Sequence, residues 1–61
     1  MTILEYANLN EVSEYEVFRQ AAIRMGVHHS VLASAFAGYM RNQYVPWWVK
    51  SFLSRQSELE A

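Results

Sequence analysis

The 61-residue chain has no cysteine and no aspartate, only two glycines and one proline, and no apolar run approaching the ~20 residues that cross a bilayer. Without cysteine there is no disulfide framework, so a stapled toxin or inhibitor is excluded and a reducing, cytoplasmic setting is expected. Met1 to Tyr6 carry Glu5 but no basic residue, and no long apolar stretch follows, so no secretion signal is expected either. With neither aspartate nor cysteine, and with both histidines side by side, the convergent groups an active site needs are missing. The chain reads as non-enzymatic, with no cofactor. His28 and His29 would supply two of the three or four ligands of a metal site, so they read as a polar turn.

What is present is apolar. Hydrophobic residues make up 52% of the chain, with four tyrosines, three phenylalanines and two tryptophans. A single domain spanning 1–61 buries only ~60% of the surface its unfolded form exposes, which leaves a monomer marginal. Small scaffolds offset this with disulfides, a metal or a second copy. The first two are ruled out here, so a two-fold homodimer is expected.

The fold class expected is mainly α: two to three helices and one short N-terminal strand, intertwined as a homodimer. Residues 1–9 read as the strand, because Ile3, Leu4 and Tyr6 lead into the turn-like Asn8-Leu9-Asn10. A lone strand must find its partner in another copy. That would place Ile3, Leu4 and Tyr6 at the dimer interface, together with Phe36, Tyr39 and Met40 of the second helix; a frayed tail is the alternative.

A helix over 11–25 is announced by Ser13-Glu14-Tyr15-Glu16, a capping-box pattern, and is closed by Gly26. Tyr15, Phe18, Ala22 and Met25 mark its inner stripe. Ser30 is placed to cap a helix over 30–42. That helix has a large apolar side (Leu32, Phe36, Tyr39, Met40) and a small-residue side (Ala33, Ser34, Ala37, Gly38). Pro46 suits the opening of a helix over 46–57, with a kinked continuation of the previous helix as the alternative. Trp48, Val49, Phe52 and Leu53 would form its apolar stripe, opposite Lys50, Ser51, Ser54 and Arg55.

The middle of the chain resembles a DNA-binding helix-turn-helix. Ala22 is small where two helices would cross, Gly26 makes the turn, Val27 follows it, and Leu32 and Ala35 fill the inner side of the second helix. Arg19, Arg24, Arg41, Lys50 and Arg55 also fall in a long stretch free of acids, between Glu16 and Glu58. The outward residues, however, are His28, His29, Val31, Ala33, Ser34 and Ala37. Few of these offer the bidentate donors and acceptors that read bases. DNA contact through Arg24, His28, His29, Ser34 and Arg41 is therefore the secondary expectation.

The leading expectation is a protein-interaction module. Trp47 and Trp48 sit ~100° apart on a helix, so both cannot face one core, and tryptophan is enriched at binding hot spots. Trp47, Trp48, Val49 and Phe52 are the expected lining of a cleft that accepts an amphipathic helix from a partner.

In its size, its Thr2-Ile3-Leu4-Glu5-Tyr6 start and its Pro46-Trp47-Trp48 tail, the chain resembles the very small early proteins of lambda-like temperate phages, encoded between the recombination and excision genes. That resemblance implies a dimeric accessory protein in the host cytoplasm, biasing the host or the lysis-lysogeny choice by binding a host or phage protein. It identifies no functional residue.

Overall fold

A computed structural model describes the backbone of residues 1–60 and the side chains of residues 1–56. Four α-helices follow one another: α1 (Ile3–Asn10), α2 (Glu14–Met25), α3 (Leu32–Asn42) and α4 (Trp47–Glu60), with a three-residue 3-10 turn, His29–Val31, leading into α3. Among the described residues there is no strand.

The N-terminal segment is the main correction. The expected strand over 1–9 is a helix, because Thr2-Ile3-Leu4-Glu5 closes a capping box. The Thr2 hydroxyl accepts from the Glu5 N–H at 3.1 Å, and the Glu5 carboxylate accepts from the Thr2 N–H at 2.9 Å. Those bonds hold the Glu5 carboxyl below its ordinary value. Ile3, Tyr6 and Ala7, spaced three and four apart, turn inward and are buried. The helix stops at Glu11, in the left-handed region at φ 56°. With no strand edge to pair, association of two copies through residues 1–9 loses its basis.

α2 begins at Ser13, whose hydroxyl accepts from the Glu16 N–H at 3.1 Å. The reciprocal half of the expected box is not made. Glu16 turns instead to Arg19, at 2.7 and 2.9 Å, and to Gln20. Gly26, at φ 71°, ends the helix, and the Val27 N–H reaches back to the Ala22 carbonyl at 2.8 Å. The buried stripe is Val17, Phe18, Ala21 and Ala22; Met25 is half-buried, and Tyr15 stands at the surface against Phe36.

The cap expected from Ser30 is supplied by its neighbour. His28 Nδ1 accepts from the Ser30 N–H at 3.2 Å, and α3 itself begins without a side-chain cap. Pro46 opens α4 as a separate helix, its carbonyl accepting from the N–H groups of Val49 and Lys50.

α2 packs against each of the other helices, most extensively against α4. Phe18 is its centre: fully buried, it meets Phe36, Tyr39 and Trp48 at ring separations of 5.4 to 5.8 Å. Tyr6 joins α1 to the same core, edge-on to Phe52 at 5.3 Å and donating to Gln20 Oε1 at 2.8 Å. The exposed surface of the single chain is 4212 Å². A folded monomer of this mass exposes about 4,100 Å², so one copy closes a core of ordinary compactness.

Candidate functional site: an open groove between three helices

The tryptophan pair divides between core and surface. Trp48 is 6% exposed and stands edge-on to Phe18, whereas Trp47 is 65% exposed on the first turn of α4. Val49 and Phe52 are buried with Trp48, and none of the three is among the residues that line the open depression. The open depression in the structure lies on a different set of residues, which does not include Trp47. It is an open groove of about 600 Å³, with one wall from the start of α1 (Thr2, Ile3, Leu4), one from α3 and the loop after it (Tyr39, Gln43, Val45), and a third from α4 (Lys50, Leu53, Ser54).

Sequence reasoning missed most of this lining. Lys50 and Ser54 read as a solvated face, which they are, but their four-residue spacing also makes them one wall of the groove. Tyr44 and Met40, 62% and 59% exposed, lie in the same part of the chain as Gln43 and Val45 and add apolar surface there.

The residues expected at a dimer interface separate into three environments. Ile3 and Tyr6 are buried in the chain's own core, Phe36 and Tyr39 are half-buried, and Leu4 and Met40 are exposed. Packed in the chain's own core, Ile3 and Tyr6 offer little surface to a second copy. Leu4 instead faces the groove.

Tyr39 is fixed at the groove by its hydroxyl, which donates to Glu14 Oε2 at 2.5 Å and ties α3 to the start of α2. That hydrogen bond, then burial and the negative charge of Glu14, push the Tyr39 hydroxyl up to about 12. Among the described residues, Lys50 is the one charged side chain lining the groove. Arg19 and Glu16 form the single ion pair among the described residues, and no described residue from Val17 to Gln56 is acidic.

The candidate DNA-contacting residues all lie at the surface. Arg24, His28, His29, Ser34 and Arg41 are exposed, and the two imidazole rings stack at 4.3 Å. Their polar atoms are partly occupied within the chain. His28 Nδ1 serves the Ser30 N–H, and the Ser34 hydroxyl donates to the Val31 carbonyl at 3.3 Å. What remains toward a major groove is His29, Val31, Ala33 and the ring edge of His28, a poor set of base readers.

Among the described residues no cluster of three or more histidines, cysteines or carboxylates stands ready to hold a metal ion. None of the described helices is long and apolar enough to cross a membrane. No protein-family model, curated protein or solved structure matches the chain.

Proposed function

We propose that the chain is a non-enzymatic protein-interaction module whose groove, between the start of α1, the end of α3 and the outer side of α4, receives an amphipathic helix from another protein. The observation that carries this reading is the 65% exposure of Trp47, one helical turn before Lys50, which lines the groove. An indole left in water on a chain with room for Trp48 in its core is a large apolar surface without a covering. A helix suits the groove better than an extended peptide does. It satisfies its own backbone hydrogen bonds, whereas an extended segment needs a strand edge, and none is offered among the described residues. The resemblance to early proteins of lambda-like phages adds the expectation that the partner is a host or phage protein.

The test is affinity capture from bacterial lysate with the native chain beside Trp47→Ala and Leu4→Glu, followed by affinity measurement on the purified captured protein. Truncating a hot-spot tryptophan costs about 2 kcal/mol or more, which is roughly a thirtyfold loss of affinity. A partner whose affinity ignores both substitutions refutes the reading.

Duplex DNA is the second reading, favoured by one feature: Arg24, Arg41 and Arg55 are exposed on a stretch without carboxylates. It requires affinity that falls steeply with salt as phosphate counterions are released. Binding that persists unchanged in high salt, or no binding at all, removes it.

A further inference from the structure

We infer that the occupant of the groove is an acidic amphipathic helix, with an apolar face seated on Leu4 and Val45 and carboxylates along the flank that meets Lys50. The inference rests on the docking reading above and adds the chemistry of the partner. Among the described residues, Lys50 is the one charged side chain on the groove walls, and Met1 lines the same groove at the α1 wall. Its ammonium has no carboxylate within ion-pair distance among the described residues.

Two described carboxylates that bond groove residues are engaged within the chain. Glu5 serves the Thr2 cap at the α1 wall, and Glu14 lies behind Tyr39, accepting its hydroxyl. Neither lines the groove, so neither neutralises Lys50 at the α4 wall. A helix with its acids on the Lys50 flank is attracted. Lys50 lies one turn after Trp47 on α4, so an apolar anchor and a cation are presented together at the rim.

The described side chains of a second copy do not supply such a helix. Among them, Glu5 serves its own Thr2 cap, and Glu11, Glu14 and Glu16 sit at the α1–α2 corner, where the apolar faces of both helices (Ile3, Tyr6 and Ala7; Val17, Phe18, Ala21 and Ala22) are already buried. To offer either helix, the second copy would have to unfold.

The test uses the full chain, isotope-labelled, titrated with two synthetic helical peptides of about 16 residues, long enough to hold helix. Both carry the same leucine face; one is flanked by glutamates and the other by lysines. The expected result is movement of the Leu4, Val45, Lys50 and Ser54 amide resonances, at least about fivefold tighter binding of the glutamate peptide, and inversion of that preference by Lys50→Glu. Equal affinity for both peptides at the groove, or no response to Lys50→Glu, overturns the acidic partner and leaves the docking reading standing. If neither peptide moves the groove resonances, or sedimentation shows a dimer that Leu4→Glu dissociates, both readings fall.

Discussion

Replacing the two tryptophans one at a time separates core from surface on adjacent residues. Trp48 is 6% exposed. A buried indole removes roughly 200 Å² from water, which at ~25 cal/mol per Å² gives an upper value of about 5 kcal/mol. Truncating large core aromatics costs ~3–5 kcal/mol. A 61-residue domain at ~0.05–0.15 kcal/mol per residue stands only about 3–9 kcal/mol above unfolding, so Trp48→Ala should leave the chain largely unfolded. Trp48→Phe keeps a ring near Phe18 while losing volume. It should cost about 1–2 kcal/mol and lower the melting temperature by roughly 5–15 °C. Trp47→Ala should stay within about 0.5 kcal/mol of the native chain. Circular dichroism melts of the three variants, with urea titrations for the two that fold, read these differences directly. Equal destabilisation by Trp47→Ala and Trp48→Phe would refute the assignment of Trp48 to the core and Trp47 to the surface.

Two further substitutions test the helix ends and the Tyr39 tether. Thr2→Ala should lower stability by about 1 kcal/mol and reduce the far-ultraviolet helix signal, as loss of an N-cap does; a frayed or extended N-terminus would show neither change. For Tyr39, a hydroxyl raised to about 12 from an ordinary 10.0 favours the neutral form in the folded state. Its contribution is complete below about pH 10 and is lost as pH climbs toward 12. Stability of the native chain should therefore fall faster than that of Tyr39→Phe over that interval, with Tyr39 ionising late in an absorbance titration; parallel curves would remove the Glu14 bond from the account.

What was legible in the sequence was local. Gly26 ends α2 and Pro46 opens α4 because each signal acts within a turn of itself. The apolar spacing of Trp48, Val49, Phe52 and Leu53 marks a stripe that is buried. At the N-terminus, Ile3, Leu4 and Tyr6 read as strand formers, but Thr2 and Glu5, three apart, carry the stronger signal. A cap satisfies two backbone donors at once, and Ile3, Tyr6 and Ala7 already had helical spacing. Ser30 misled for a related reason: His28 Nδ1 reached the free N–H first. The groove was not legible. Its walls come from residues 2–4, 39–45 and 50–54, which share no periodicity, and the Tyr39–Glu14 bond spans 25 positions.

The central position of α2 makes folding a single event. α1, at eight residues, is too short to persist as an isolated helix in water, and α3 buries only Leu32 completely. Both depend on the platform that α2 provides. α2 in turn leaves Phe18 and Val17 wet until α4 returns across the intervening turn and α3 to cover them. The other main helix contacts join neighbours in sequence, so this one return is the long loop closure in the fold. No shorter run of helices encloses Phe18, and the described domain should appear all at once or not at all.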